Sequence, residues 1–293
     1  MKGTQQKRRA ATVGTFDGLH RGHRRVIDTL ESLASERGLE PLIVCFDRHP
    51  LKTIAPERAP RLIQSPSERT NALFREGLTL LTLEFTAPLA ALTAEEWLRK
   101  MHDEQRVDLL VVGYDNTFGC DGTAMSIADY KTLGRRVGVE VIEAPYEPRA
   151  ASSAIRRLLT DGHLDEANAL LGYPFTVTGQ VVEGKHLGSS LGFPTANIAP
   201  SYRALMPKNG VYAVEALLPD GSWRKAIANV GRQPTMGPDE PLRLEVHVPG
   251  FAGNLYGSRL SVRFLRRLRD EMQFASPIEL KAQIEEDIKT MKE

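Results

Sequence analysis

Through its first half the chain alternates short apolar runs with amphipathic stretches. Five runs, "AATVG", "PLIVCF", "LLTLEF", "DLLVVG" and "VEVIEA", are separated by segments of helical spacing, among them Arg24 to Arg37, Ala94 to Glu104 and Ala124 to Val137. Runs apolar at nearly every position suit strands covered on both faces, and their alternation with helices predicts an α/β domain on a parallel sheet. Such sheets bind ligands beyond the carboxyl ends of their strands. "SSAIRRLLTDGHLDEANALL", Ser152 to Leu171, reads as one or two helices with serines as caps. The pattern changes at "GYPFTV". Beyond it "FTVTGQVVEG", "GVYAVEALL", "SWRKAIANVG", "LRLEVHV" and "GSRLSVRFLRRLR" alternate and are rich in β-branched residues, which predicts a small antiparallel β-barrel. A last helix, about Pro277 to Met291, carries Leu280, Ile284 and Ile288 on one face. The boundary is expected near Gly172 to Pro174, giving domains 1–172 and 173–293.

Bulk numbers narrow the class. The 293 residues suffice for two domains, and 41% hydrophobic residues support real cores. With Lys+Arg 38 against Asp+Glu 37 no global field draws the protein to nucleic acid, and "KRR" at Lys7 to Arg9 reads as a solvated tail. Cys45 and Cys120 form no CxxC pair, which argues against a disulfide framework or structural zinc and for a reducing compartment. No apolar run follows the charged start and none is long enough to span a bilayer, so a cytoplasmic location without membrane attachment is expected.

The richest chemistry in the first half is "GTFDGLHRGH", Gly14 to His23, between the first strand and the first helix. Free N–H groups and the dipole at a helix start favour an anion, glycines allow close backbone approach, and His20 and His23 at i, i+3 can face one side. Two imidazole donors there suit phosphates whose charge grows during nucleotidyl transfer.

This stretch resembles the signature of the HxGH nucleotidyltransferases, and the whole pattern resembles their flavin branch, the bacterial bifunctional riboflavin kinase/FAD synthetases. The resemblance implies a Rossmann-like N-terminal domain that transfers AMP from ATP to FMN. It implies ATP contacts from Gly14, Thr15, Phe16, Asp17, Gly18, His20 and His23, the two histidines being catalytic. "FDRHP", Phe46 to Pro50, is similar to F-x-P-H-P, with Arg48 at a usual proline. "GYDNTFG", Gly113 to Gly119, is similar to G-x-D-F-x-F-G, with Asn116 for an aromatic. Together these imply an FMN side of Phe46, His49, Pro50, Asp115 and Phe118. "AASSAIRRLL" resembles [VI]-S-S-[ST]-x-I-R with Ala151 for the first serine, which implies that Ser152, Ser153 and Arg156 join the ATP site.

"GKHLGSSLGFPTANI", Gly184 to Ile198, is the second constellation. Pro194 stiffens the loop, and Thr195 and Asn197 offer oxygens from alternate positions of an extended segment, as a hard cation requires. "LGFPTAN" is similar to the ATP- and magnesium-binding stretch of riboflavin kinases. It implies Mg²⁺ on Thr195 and Asn197, and ATP against Gly184, Lys185, Gly188, Gly192, Pro194, Thr195 and Asn197. Ser189 stands where arginine is common. "GQVVEGKH" is not a P-loop, because His186 replaces the magnesium-binding hydroxyl and no helix follows.

Glu245, on the polar face of "LRLEVHV" beside Arg243 and His247, matches the glutamate proposed as the base in those kinases. "GNLYGSRLSVRFLRRLRDEMQF" resembles the D-L-Y-G…L-R-D-E-x-K-F close, with Asn254 and Gln273 as departures, and implies Tyr256 and Arg269 on the flavin side. "NVGRQPT", Asn229 to Thr235, is similar to N-I-G-x-R-P-T with Gln233 at the arginine. The implied function is riboflavin to FMN in the barrel and FMN to FAD in the first domain. Riboflavin, FMN, FAD and ATP are the small-molecule partners and ATP the co-substrate at both sites. The alternatives are a monofunctional riboflavin kinase with a degenerate, ligand-binding front domain, motivated by Arg48, Asn116 and Ala151, and an adenylyltransferase for another phosphate ester, for which the barrel has no evident use.

Overall fold

The computed structural model describes residues 7–114, 116–148, 150–184, 191–200, 202–231 and 243–292. Five parallel strands, β1 (Arg9–Gly14), β2 (Glu40–Phe46), β3 (Thr79–Leu83), β4 (Val107–Val112) and β5 (Glu140–Glu143), form one sheet in the order β3-β2-β1-β4-β5. The chain winds outward to β3 and then crosses to β4, so the strand order reverses beside β1, the point at which sheets of this kind hold ligands in a crevice beyond their carboxyl ends. Alternate residues of the same strands feed two cores. Ala11, Val13, Leu42, Val44, Leu110 and Val112 pack under helices α5 (Ala94–Gln105) and α6 (Ile127–Val137), while Ala10, Ile43, Cys45, Leu109 and Val111 pack under α1 (Arg21–Arg37). That double coverage is why these strands read as unbroken apolar runs. Short α2 (Leu51–Ile54) and α4 (Ala87–Ala90), and the longer α3 (Pro66–Arg75), fill the remaining connections.

Helix starts are fixed by caps rather than by hydrophobic spacing. Thr93 and Glu96 close a reciprocal box at α5 and Ser126 and Asp129 one at α6. The second box starts α6 three residues after the expected Ala124. At α1 the side chain of His20 is the cap, so this helix begins at Arg21, before the expected Arg24.

The stretch expected to form one or two helices forms two, α7 (Ser152–Asp161) and α8 (Leu164–Leu171). Their Ile155, Leu159, Leu164, Ala167 and Leu171 share one core with the barrel, and contact density groups Arg61–Ser65 and Ser152–Glu293 as one compact unit, Met1–Pro60 with Pro66–Ala151 as the other. The barrel is closed and antiparallel in the order β10-β7-β6-β11-β8-β9, from β6 (Thr176–Val182), β7 (Ala196–Ala199), β8 (Gly210–Leu217), β9 (Trp223–Gly231), β10 (Arg243–His247) and β11 (Arg259–Arg269). Inward Val177, Val181, Tyr212, Val214, Val230, Leu244, Val246, Leu260 and Phe264 are buried, which accounts for the alternating pattern. The final helix, α9 (Pro277–Lys292), covers Val211, Ala213 and Ile227 on the outer wall with Ile288 and Met291. Its expected stripe of Leu280, Ile284 and Ile288 is only half-buried. Asp287 goes deeper, because Arg269 holds it at 2.7 Å and 2.9 Å.

Candidate functional site

The corner after β1 is anchored by its own apolar residues. Phe16 and Leu19 are buried although φ is 48° and 38°, a left-handed conformation that side chains other than glycine adopt at a cost. With Gly18 at φ 86°, they fold the loop tightly enough to bring His20 to the helix cap. His20 Nδ1 accepts the His23 backbone N–H at 3.4 Å, and the two imidazoles stack with centroids 3.7 Å apart. A Cβ at Gly22 would stand 2.5 Å from the Ala150 carbonyl and 3.2 Å from the His20 ring. Each named letter of H-x-G-H therefore has a local cause: a cap, a close approach and a stacked ring. Asp17 is buried in the same loop.

Neighbouring loops rise at the same sheet edge. Phe46 ends β2 with its ring against Phe85 at 4.9 Å. Arg48 turns onto Asp47 at 2.6 Å and toward Glu84 at 3.7 Å. Burial tends to raise the Asp47 carboxyl, but the Arg48 guanidinium and the Phe85 N–H outweigh it and hold Asp47 below the usual carboxylate range. His49 Nδ1 accepts from the Leu51 N–H at 3.2 Å and Pro50 leads into α2. After β4, Asn116 donates to the Val13 carbonyl, and Phe118 packs in the α5/α6 core between Trp97 at 4.8 Å and Tyr130 at 4.3 Å. Asp115 lies outside the described residues. Tyr114 and Tyr146, which the motifs did not mark, are exposed and in ring contact at 4.7 Å.

In the second unit Ser152 and Ser153 open α7, and Arg156 Nε donates to the Arg61 carbonyl at 3.0 Å. The barrel carries the second constellation. Ala196 and Ile198 point inward, so Thr195 and Asn197 share the opposite side, half-buried. Register places Asn197 directly across from Glu245, and Glu245 directly across from Asn229. Side chains so opposed stand about 5 Å apart at Cβ. His247 Nδ1 lies 2.8 Å from the Pro194 carbonyl and its ring meets Phe193 at 5.4 Å, which fixes the approach to β7. A Cβ at Gly184 would meet the end of the Asn197 side chain and displace its amide.

A cavity of about 370 Å³ adjoins Thr195 and Pro194, walled by Val181, Val248, Phe251 and Tyr256. Arg269 forms its ion pair with Asp287. Glu271, inside the L-R-D-E-x-K-F close but not singled out there, accepts from Asn209 at 3.3 Å and Asn229 at 3.5 Å. Burial lifts the Glu245 carboxyl above its ordinary range, Arg243 opposing and Glu271 adding to the lift. Gly192 turns with φ 87° before this strand. Lys185 and Gly188, together with Ser189 and Gln233, lie outside the described residues.

A parallel-sheet domain with a cap-bound histidine pair, followed by a closed barrel in which a glutamate stands between two asparagines beside a cleft, defines a two-domain nucleotide-using transferase. Comparison resolves the class. A family model for FAD synthetase matches residues 2–153 and one for riboflavin kinase matches 171–293. The chain is 36% identical to the bifunctional riboflavin kinase/FMN adenylyltransferase of Escherichia coli K12, over 96% of this chain and 91% of that protein. It is 30% identical to the protein of that name from Bacillus subtilis 168, over 97% and 91%. A crystal structure titled a macrolide-efflux protein, from Streptococcus pneumoniae, superposes with a TM-score of 0.86 at 31% identity, covering 97% of this chain and 94% of that one. The chain belongs to the bifunctional riboflavin kinase/FMN adenylyltransferase family. It is an enzyme with both domains and takes ATP as co-substrate. The monofunctional alternative is not supported. Among the described residues no helix is long and apolar enough to cross a membrane.

Proposed function

We propose that residues 173–293 phosphorylate riboflavin to FMN and that residues 1–172 adenylylate FMN to FAD, in the cytoplasm, with no nucleic-acid partner. One observation supports this most: Glu245 stands in a cross-strand row with Asn197, the row lying next to a cleft that Thr195 lines. In the kinase Glu245 takes the proton of the ribityl 5′-hydroxyl as its oxygen attacks the γ-phosphorus and ADP leaves. The cavity beside Thr195 receives the ATP, and Tyr256 and Arg269 border the flavin side, with Glu271 close to them.

Thr195 and Asn197 would hold Mg²⁺. The donor chemistry fits, since both offer hard oxygens and Gly184 leaves the space in which the Asn197 amide sits. Among the described residues no three His, Cys, Asp or Glu side chains form an alternative cluster. When bound, the cation would offset charge on the phosphates.

In the first domain His20 accepts at Nδ1, which leaves the proton on Nε2 to donate to a phosphate oxygen. His20 and His23 stabilise charge at the α-phosphorus as an FMN phosphate oxygen attacks and pyrophosphate departs, without a covalent enzyme intermediate. Gly14 to Gly18 shape the ATP pocket, and Phe46, His49, Pro50, Asp115 and Phe118 bound the FMN side, with the Tyr114–Tyr146 pair offering an aromatic surface.

Chromatographic separation of products from riboflavin, ATP and Mg²⁺ tests the reading. Wild type should yield FMN and FAD, and His20→Ala/His23→Ala should yield FMN alone, each lost donor costing about 10²–10³-fold in FAD formation. Wild type that stops at FMN would remove the adenylyltransferase, and equal collapse of both products in a folded double variant would refute two separate sites.

A further inference from the structure

We propose that Arg69, on α3, is a positioning residue for adenylyl transfer: its guanidinium ties the loop that carries His20 and His23 to the end of β2. This rests on the adenylyltransferase reading of the first domain. Arg69 Nη1 donates to the Thr15 carbonyl at 2.7 Å and Nη2 to the Phe46 carbonyl at 2.6 Å. One side chain thereby bridges the two segments that flank the crevice, from a helix that neither motif includes.

Three observations set it apart from a packing arginine. It is only 5% exposed, and buried arginines are ordinarily matched by a carboxylate, yet no ion pair of Arg69 exists among the described residues. Its Nε is buried and makes no hydrogen bond there. The carbonyl it grips belongs to the residue before Phe16, where the backbone enters its left-handed turn. Strained turns persist where surrounding structure over-determines them, and a charged donor on the preceding carbonyl supplies that determination. The planar fork reaches both carbonyls at once, which a lysine ammonium does not do. The positive charge left unneutralised beside the crevice also favours the phosphates that bind there.

The test compares Arg69→Lys and Arg69→Gln with wild type, measuring FMN adenylylation kinetics, thermal unfolding and, in the same samples, riboflavin phosphorylation. Displacing the histidine loop by about 1 Å predicts a fall in kcat of about 10²-fold in both variants, with little change in KM for ATP and with phosphorylation of riboflavin retained. Arg69→Lys at wild-type kcat would overturn the proposal, because charge without the fork would then suffice. A rise in KM with kcat unchanged would overturn it too. Should the lysine variant not fold, Arg69→Ala supplied with methylguanidinium should regain kcat; no recovery would count against the fork. Wild type that forms no FAD would instead reject the parent reading.

Discussion

Replacing Gly184 by alanine should disable the kinase while leaving the barrel folded. A Cβ at Gly184 would lie 2.8 Å from Asn197 Cγ and nearer still to its amide nitrogen, where ordinary contact begins at 3.4 Å. Gly184 does not have a positive φ, so alanine brings no backbone strain. What it meets is the movable end of one side chain, and that amide must retreat by about 1 Å, a shift that costs about 10²-fold in rate at a reacting centre. The thermal midpoint should stay within about 2–4 °C, the equivalent of 1 kcal/mol in a chain of this size. Riboflavin phosphorylation is followed by product separation in Gly184→Ala, in Asn197→Ala and in the double variant. If the alanine acts through Asn197, the double variant is no worse than Asn197→Ala. A loss within about twofold for Gly184→Ala, or single losses that multiply in the pair, would refute the placement of Asn197 at the phosphates.

The pH profile of riboflavin phosphorylation should carry the mark of Glu245. A base acts unprotonated, and burial holds this carboxyl above its usual range, so kcat/KM should fall as pH drops through a value above the ordinary glutamate pKa of about 4.3. Glu271→Gln removes a like charge and should move that limb to lower pH; a limb that stays put would separate Glu271 from the site. Asp287→Ala leaves Arg269 without its buried partner, whose side chains are 6% and 19% exposed, and should cost about 3–5 kcal/mol in urea unfolding. A loss below about 1 kcal/mol would mark the pair as equivalent to a surface ion pair.

Much of the site was legible because its chemistry is written in short, contiguous stretches. H-x-G-H carries cap, close approach and ring partner within four residues, and "TAN" sets Thr195 and Asn197 on one side of a strand by alternation alone. Residues that reach the site from a distance gave no such signal. Arg69 acts on a partner 54 positions away and lies in no quoted motif, while Glu271, the glutamate of the L-R-D-E-x-K-F close, reaches Asn229 42 positions away, a pairing that the motif does not encode. Arg48 illustrates the same limit from the other side: the motif flags it as a departure, but only its neighbours Asp47 and Glu84 show that it is turned onto a surface ion pair.

Composition and periodicity alone determined a parallel α/β sheet followed by an antiparallel barrel, because burial on two faces and burial on one leave different spacings in the chain. They could not determine register. Only the closed barrel decided that Asn197, Glu245 and Asn229 stand side by side, since backbone pairing between strands that lie far apart in sequence sets which residues meet. Only the packed domain decided that an arginine on α3 would hold two carbonyls at the crevice, since burial brings a fork-shaped donor within reach of groups that no local rule connects.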